Sequence, residues 1–231
     1  KIFAQAGVNC VNLDSDHAGR ILEAARQAGR PVFTFSQRDP QADIYASQVR
    51  KEDGQTVFHV RTPQYEREFR LTMPGLFNVE NALGVIAVCH ALHVSPAAVY
   101  DGLVRARVPG RMETYANADG SLHAIVDYAH NRLSFETLFR SVRAEYPGRE
   151  MAIVFGCPGK KAYDRRRDLG EAAGHWCDRV YLTEEDSGEE DTLDICREIA
   201  PNVEKAGCPV RIIPNRGEAI RQAVLDCSGP A

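Results

Sequence analysis

Three polar clusters contain the residues of this sequence that are best suited to chemistry, and each directly follows a predicted strand. Residues 127–131 read DYAHN, residues 156–161 read GCPGKK, and residues 183–186 read TEED. Ligands of open α/β sheets bind beyond the carboxyl ends of the strands. We therefore expect the three clusters to meet at one edge of a parallel sheet, although loop polarity can also reflect solvation alone.

The second and third clusters carry opposite charges. Five of the eight residues from 160 to 167 are basic, and six of the eight from 184 to 191 are acidic. A basic loop suits a carboxylate or a phosphate, whereas an acidic loop suits an ammonium group or a metal ion. Neighbouring loops of opposite sign favour a zwitterion, and the surplus acid favours an amino acid with a cationic side chain. The alternative is a surface ion-pair network that binds nothing.

Common nucleotide-binding and hydrolase motifs are missing from the sequence. The loop at residues 156–161 is G-x-x-G-K-K, so it has neither the spacing nor the Ser or Thr of a Walker A loop. The sequence also contains no G-x-G-x-x-G, no G-x-S-x-G and no H-E-x-x-H. We therefore assign no catalytic residue and no metal ligand within these residues.

Length, charge and cysteine content exclude several classes of protein. The chain has 231 residues, of which 44% are hydrophobic and 26% charged, which is typical of one or two soluble domains. Its net charge of −4 argues against a nucleic-acid binder driven by bulk charge. No apolar stretch approaches the ~20 residues that span a bilayer. Seven scattered cysteines without C-x-x-C indicate reduced thiols and a cytoplasmic protein.

The elements before residue 110 predict one domain, residues 1–109. A short strand is followed by a helix that we expect residues 14–16 (DSD) to cap, and then by a second strand. Residues 44–71 predict an antiparallel meander, with a hairpin turn at Asp53 and Gly54. Two helices follow, and the second begins with Ser95 as its N-cap and Pro96 as its first residue.

After Pro109 and Gly110 the pattern changes, which marks a second domain at residues 110–231. Short apolar strands are predicted at residues 122–127, 151–155, 180–183 and 210–213, each followed by a helix. This alternation predicts an α/β fold with a parallel sheet and helices on both faces.

Three segments in the same order resemble the signatures of the Mur ligase family. Residues 75–83 (GLFNVENAL) resemble its G-x-F-N-x-x-N-A-L segment, residues 109–113 (PGRME) its P-G-R-[FM]-E junction, and residues 127–131 its D-Y-A-H-[TN] loop. Residues 11–16 (VNLDSD) further resemble its I-N-A-D-D turn. The fit is best to the UDP-N-acetylmuramoyl-tripeptide synthetase (MurE-like) branch, which adds the third residue of the peptidoglycan stem peptide.

The resemblance implies an ATP-dependent amide-forming ligase of peptidoglycan precursor synthesis. ATP phosphorylates a substrate carboxylate, the incoming amino group attacks the acyl phosphate, and Mg²⁺ and basic groups neutralise the developing charge. Residues 1–109 then correspond to the last part of a central ATPase domain, and residues 110–231 to most of a Rossmann-like C-terminal domain. Both ends, Lys1 and residues 229–231, look cut. The Walker A loop and most magnesium ligands are expected outside these residues, so we expect the fragment alone to be inactive.

The resemblance also implies an ATP site. Asn78 and Asn81 match asparagines on the adenine side, and Arg111 matches the junction arginine that reaches the phosphates. Asp127 matches an aspartate near the ribose, and His130 matches a histidine near ATP. Without the resemblance, Asn78 and Asn81 are interpreted as N-cap and first-turn residues of a helix, and Asp127 as a turn residue that caps the next helix.

A second implied site takes the incoming amino acid. Lys161 and Arg166 fall where the basic loop of this branch meets the amino acid's carboxylate, and residues 185–188 fall on the D-N-P-R loop that selects the amino acid. Gly188 replaces the arginine that pairs with the extra carboxylate of meso-diaminopimelate. The acidic residues that resemble the lysine-adding variants are Glu185, Asp186 and Glu190. We therefore expect a cationic amino acid such as L-lysine, with ornithine or another acceptor as alternatives.

The expected partners are thus a UDP-N-acetylmuramoyl peptide and a free amino acid, with neither nucleic acid nor membrane. Two alternatives remain open at this point. One is a non-catalytic Mur-like paralogue or partner subunit, and the other is a related ligase of the cyanophycin or folylpolyglutamate kind.

Overall fold

The chain divides into two compact units, Lys1–Met112 and Glu113–Ala231, in a computed structural model that describes residues 1–73 and 75–227. The predicted cut end at residues 229–231 lies outside the described residues. Within the described ranges, every helix is too short or too polar to cross a bilayer.

The first unit contains a mixed sheet of five strands with the order β1-β2-β3-β4-β5. Its elements, in chain order, are α1 (Ile2–Gln5), β1 (Asn9–Asn12), α2 (Ala18–Gln27), β2 (Val32–Ser36), β3 (Ile44–Glu52), β4 (Gln55–Arg61), β5 (Glu66–Leu71), α3 (Asn78–Ala91) and α4 (Pro96–Arg105). The first three strands are parallel, and β3, β4 and β5 form the predicted antiparallel meander. Helix α3 packs against β1, β2 and β3, and its buried residues include Leu83 and Ile86.

Local signals account for two of the boundaries in this unit, while a third prediction fails. Asp53 and Gly54 have φ angles of 49° and 73°, as a two-residue hairpin turn requires. Ser95 caps α4, because its hydroxyl accepts a hydrogen bond from the Ala98 amide. The predicted cap of α2 by residues 14–16 is wrong: α2 begins after His17 without a side-chain cap. Asp14 instead accepts hydrogen bonds from Ser36 Oγ and the Gln37 amide, which join the ends of β1 and β2.

The second unit confirms the predicted α/β fold with a parallel sheet and flanking helices. Its elements are β6 (Glu113–Ala116), β7 (His123–Val126), α5 (Arg132–Glu145), β8 (Ala152–Phe155), α6 (Asp164–Trp176), β9 (Arg179–Leu182), α7 (Thr192–Glu204), β10 (Val210–Ile212) and α8 (Arg216–Asp226). Strands β8, β9 and β10 are parallel, in the order β10-β9-β8. The core lies between this sheet and helices α5, α6 and α7, and includes Phe135, Leu169 and Ile199.

One predicted strand takes a different place. Strand β7, predicted as part of the parallel sheet, pairs antiparallel with β6 instead, with Glu113 opposite Val126. The cause is a tight turn at residues 117–121, in which Gly120 has a φ of 68° and the Asn117 side chain accepts from the Leu122 amide. The sequence does not predict this hairpin, because it does not predict strand β6. A cavity of about 760 Å³ is lined by both β7 and β8.

Helices α6 and α7 approach closely because two glycines on α6 face α7. A Cβ at Gly174 would lie 2.7 Å from the Val203 carbonyl oxygen, and one at Gly170 would lie 2.9 Å from the Asn202 Cβ. Both distances are below ordinary van der Waals contact, so a side chain at either position must separate the helices.

Gly174→Ala is therefore expected to lower the free energy of unfolding of the second unit by about 1–2 kcal/mol, because overpacking outweighs the better helix propensity of alanine. Urea titration followed by the fluorescence of Trp176, the only tryptophan, measures this unit. The control is Gly102→Ala on α4 of the first unit, where a Cβ would meet no described atom within 4 Å beyond its own helix. Since Trp176 lies in the second unit, unfolding of this control is followed by circular dichroism. Equal stability of Gly174→Ala and the natural chain would contradict the packing argument.

Candidate functional site

Two of the three polar clusters leave the same edge of the parallel sheet. The basic loop (residues 156–163) follows β8, and the acidic loop (residues 183–191) follows β9. Because β8 and β9 are parallel, with Phe155 opposite Leu182, both loops start at the same level. The predicted convergence of these two clusters is confirmed.

The glycines of the basic loop serve close packing between the two loops. A Cβ at Gly156 would lie 2.3 Å from the Thr183 carbonyl oxygen, and one at Gly159 would lie 1.9 Å from the Ser187 carbonyl oxygen. The Gly159 amide also donates to the Asp186 carbonyl oxygen at 3.1 Å. The G-x-x-G spacing therefore reflects contact with the acidic loop, in agreement with the rejection of a Walker A motif.

Arg166, at the start of α6, lies beneath these loops with its side chain 3% exposed. Its guanidinium donates two parallel hydrogen bonds of 2.8 Å to Glu190 and one of 2.7 Å to Glu198. A longer contact of 3.4 Å reaches the Pro158 carbonyl oxygen. Glu190 also accepts from the Lys160 amide at 2.7 Å, and these hydrogen bonds, chiefly those of Arg166, lower the pKa of Glu190 to about 2. The Arg166 and Glu190 side chains thus bind each other. The sequence, by contrast, predicts that both contact the amino acid directly.

The remaining ion pairs between the loops are exposed. Lys161 Nζ lies 2.6 Å from Asp186 Oδ2, and Lys160 Nζ lies 2.6 Å from Glu189 Oε2. The Lys161 and Asp186 side chains are 61% and 67% exposed, so water screens their attraction. The pairing raises the pKa of Lys161 and lowers that of Asp186, which keeps both groups charged at neutral pH. The carboxylate of a zwitterionic ligand can therefore replace Asp186 beside Lys161, and its ammonium group can replace Lys161 beside Asp186, with little loss of free energy.

Residues of all three clusters line the cavity beside β8. The predicted site residues among its lining are Asp127, His130, Lys161, Glu185 and Asp186. Glu185 stands out, because its Oε2 atom is buried and has no hydrogen-bond partner within the described part of the chain. Such an oxygen can accept a hydrogen bond from a ligand or from an ordered water.

The first cluster is arranged by local hydrogen bonds. Asp127 Oδ1 accepts from the Ala129 amide at 2.8 Å, and His130 Nδ1 lies 3.1 Å from the Tyr128 carbonyl oxygen. Asn131 caps α5 by accepting from the Ser134 amide. The predicted alternative for Asp127 is confirmed in part: its hydrogen bond from the Ala129 amide makes it a turn residue, but the cap of α5 is Asn131.

Cys157 lies inside the basic loop and is buried. Burial raises the pKa of its thiol to about 12, so the thiol stays protonated and is a poor nucleophile. In the part of the chain that the structure describes, no group of three or more metal-ligating side chains occurs.

The other predicted ATP residues lie in the first unit. Asn78 is the first residue of α3 and is 3% exposed, and its Oδ1 accepts from Asn81 Nδ2 at 3.0 Å. The predicted N-cap at Asn78 is wrong, because the N-cap is Phe77, whereas Asn81 does lie in the first turn. Arg111 is exposed and lies between Gly110 and Met112, whose φ angles are 67° and 50°. Beside α3, Asn12 donates to Glu80 and so links the end of β1 to the first turn of this helix. The sequence analysis does not predict this contact. The sequence feature that indicates it is the asparagine at the carboxyl end of β1.

Glu190→Gln is expected to destabilise the second unit more at pH 7 than at pH 3. The folded pKa of about 2 lies below the ordinary 4.5, so ionised Glu190 contributes stability above pH 4.5 that is lost as the pH falls toward 2. Urea titrations at pH 7, 5 and 3, followed by Trp176 fluorescence, measure the difference. The control is Glu189→Gln, which is 86% exposed and should show no such trend. A difference that grows toward acid pH would contradict the assignment.

Comparison with protein families and curated proteins identifies the chain's relatives. The family model of the Mur ligase middle domain matches residues 1–89, and that of the Mur ligase, glutamate ligase domain matches residues 110–230. The chain belongs to the Mur ligase family. A UDP-N-acetylmuramyl-tripeptide synthetase of Roseiflexus sp. (strain RS-1) is 37% identical over 227 residues, which cover 96% of this chain and 44% of the relative.

Other Mur ligases that match differ in the amino acid they are named for. A UDP-N-acetylmuramoyl-L-alanyl-D-glutamate–L-lysine ligase of Enterococcus faecalis is 32% identical over 229 residues. The matched segment covers 97% of this chain and 44% of that ligase. A 2,6-diaminopimelate ligase of Clostridioides difficile is 27% identical, with 96% and 46% covered. The chain thus spans less than half the length of these curated relatives.

Solved structures support the same fold. A folylpolyglutamate synthase of Mycobacterium tuberculosis, complexed with ADP and AMPPCP, has a TM-score of 0.76 at 19% identity and covers 96% of this chain and 50% of that one. At this level of identity the likeness concerns the fold alone.

Proposed function

We propose that the full-length protein is an ATP-dependent ligase that joins an amino acid to a UDP-N-acetylmuramoyl dipeptide. The observation that carries this proposal is the match of both units to successive Mur ligase domains, together with relatives named as tripeptide synthetases. ATP would supply the activation of the dipeptide's carboxylate. The residues of this chain would bind the nucleotide and present the acceptor amino acid.

The proposed ATP contacts fit the chemistry of their side chains. Asn78 and Asn81 offer amides that can donate to and accept from a purine edge. The exposed guanidinium of Arg111 suits phosphate oxygens, and the half-buried carboxylate of Asp127 can accept from ribose hydroxyls. His130, exposed on the loop after β7, completes the proposed set. The donor set of the described residues does not itself form a magnesium site, so we assign this chain no step at the metal.

The proposed acceptor site lies where the basic and acidic loops meet. Lys161 would hold the α-carboxylate of the amino acid, while Glu185 and Asp186 would hold a side-chain ammonium group. This polarity is supported by the Glu185 carboxylate oxygen that has no hydrogen-bond partner among the described residues, and by the exposed pair of Lys161 and Asp186. The surplus of acid in this cluster favours a cationic amino acid.

The test is an assay of the full-length protein with ATP, Mg²⁺ and UDP-N-acetylmuramoyl-L-alanyl-D-glutamate. A tripeptide product detected by mass spectrometry, with stoichiometric release of phosphate, is the expected result. Asn81→Ala and Asp127→Ala should raise the KM for ATP by about tenfold each, because each removes a hydrogen bond made to the nucleotide. Absence of product with every amino acid tried would favour the non-catalytic paralogue instead.

A further inference from the structure

Arg166 connects four segments that surround the proposed acceptor site. It belongs to α6, its forked pair with Glu190 reaches the acidic loop, its bond to Glu198 reaches α7, and its contact with Pro158 reaches the basic loop. The guanidinium also lies 4.8 Å from the centre of the Tyr163 ring. Two parallel hydrogen bonds fix direction as well as distance, which a single contact does not.

We propose that Arg166 and Glu190 form a positioning pair that sets the geometry of Lys161, Glu185 and Asp186, and thereby the affinity for the acceptor amino acid. This inference rests on the proposed function, and it assigns neither member of the pair a direct contact with substrate.

The connection to Lys161 runs through the backbone of the basic loop. Lys160 and Ala162, on either side of Lys161, have φ angles of 53° and 52°, in the left-handed region that is unfavourable for residues other than glycine. Such a conformation persists only where surrounding contacts hold it. Glu190 supplies one of these contacts, because its carboxylate accepts from the Lys160 amide at 2.7 Å. Loss of Glu190 or of its partner would therefore let the Lys161 side chain change direction.

The connection to Glu185 and Asp186 runs through the acidic loop. Glu190 belongs to this loop and anchors it to α6, while the Gly159 amide holds the Asp186 carbonyl oxygen. The same contacts therefore hold both loops in place. Release of the Arg166–Glu190 pair would displace the site for the carboxylate and the site for the ammonium group together.

A direct role for Arg166 at the acceptor's carboxylate fits the structure poorly. Its side chain is 3% exposed, and both terminal nitrogens already donate to carboxylates or to a carbonyl oxygen. Its Nε atom has no partner among the described residues but is buried as well, so a ligand's carboxylate would have to displace neighbouring side chains to reach it. Lys161, by contrast, is 61% exposed and lines the cavity.

The test compares Arg166→Met, Arg166→Lys and Glu190→Gln in the full-length ligase. We expect Arg166→Met and Glu190→Gln to raise the KM for the acceptor by about tenfold and to leave the KM for ATP within about threefold, because only the acceptor loops move. Arg166→Lys, which keeps the charge but loses the fork, should recover part of the affinity. The double variant should be no worse than the more impaired single variant, as expected for residues that act as one unit.

Glu198→Gln is the matched control, because Glu198 also bonds Arg166 but is 57% exposed and contacts neither loop through that bond. Its KM values should stay within about threefold of those of the natural enzyme, because its bond to Arg166 reaches neither loop. The competitive inhibition constant of L-lysinamide separates positioning from direct contact. A positioning pair weakens lysinamide and lysine alike, whereas a direct contact with the α-carboxylate weakens lysine alone.

If the natural enzyme is an active ligase, two results would overturn the inference. One is an unchanged acceptor KM in variants whose melting temperature falls, which would assign the pair a purely structural role. The other is a lysinamide constant that is insensitive to Arg166→Met. An inactive natural enzyme would instead reject the proposed function, so the two failures are distinguishable.

Discussion

Gly159→Ala is expected to lower kcat/KM for the acceptor amino acid about 100-fold in the full-length ligase, since a displacement of about 1 Å at a reacting site can cost that much. The new Cβ would lie 1.9 Å from the Ser187 carbonyl oxygen, whereas real Cβ contacts stay above 3.0 Å. The basic and acidic loops must therefore move apart by about 1.1 Å, the difference of these distances. Because the obstacle is backbone, no side-chain rotation can relieve it.

The measurement is steady-state kinetics with the acceptor varied at saturating ATP, and then with ATP varied. The KM for ATP should change little, because the substitution acts on the acceptor loops. Gly102→Ala, a helical position without a close neighbour among the described residues, is the control for a glycine replacement that changes nothing at the site. Acceptor kinetics like those of the natural enzyme in Gly159→Ala would show that the loops do not need this close approach.

The parts of the fold that could be predicted from the sequence are those that depend on neighbouring residues. The hairpin at Asp53 and Gly54 and the start of α4 at Ser95 each follow from the backbone preferences of one or two residues. The error at Asp14 has the opposite origin. Its carboxylate could cap α2 or bind across the sheet, and the partner that prevails, Ser36, lies 22 residues away.

The candidate site shows the same division. The opposite charges of the two loops and their convergence follow from sequence and topology. The sequence does not indicate which acidic residues stay available to bind a ligand. Glu185 and Glu190 are chemically identical and differ only in the residues that the fold places beside them. Glu190 meets Arg166, 24 residues away, while one oxygen of Glu185 is left without a partner in the described chain. Pairing across that separation depends on how α6 packs against α7, which no local pattern encodes.

The full-length ligase is expected to prefer a cationic amino acid such as L-lysine to meso-diaminopimelate by at least about 100-fold in kcat/KM, which corresponds to about 2.8 kcal/mol. The argument is electrostatic. Diaminopimelate would bring a second carboxylate to the acidic loop, close to Glu185 and Asp186. Like charges repel strongly where water is excluded, as at the buried Oε2 atom of Glu185, whereas the exposed Asp186 contributes less. Gly188, where diaminopimelate-adding relatives are expected to carry arginine, offers no positive partner.

Gly188→Arg tests this argument directly, because it restores the missing charge. A Cβ at Gly188 would meet no described atom within 4 Å, so the first atom of a side chain causes no clash, but the φ of 58° disfavours any side chain there. Gly188→Ala carries the same backbone cost, about 1–2 kcal/mol, without the charge and is therefore the matched control. In competition assays with lysine, ornithine and meso-diaminopimelate, Gly188→Arg should shift the preference toward diaminopimelate by about tenfold relative to Gly188→Ala, the worth of one favourable charge pair. A natural enzyme that prefers diaminopimelate would refute this interpretation of the acidic loop, whatever the variants do.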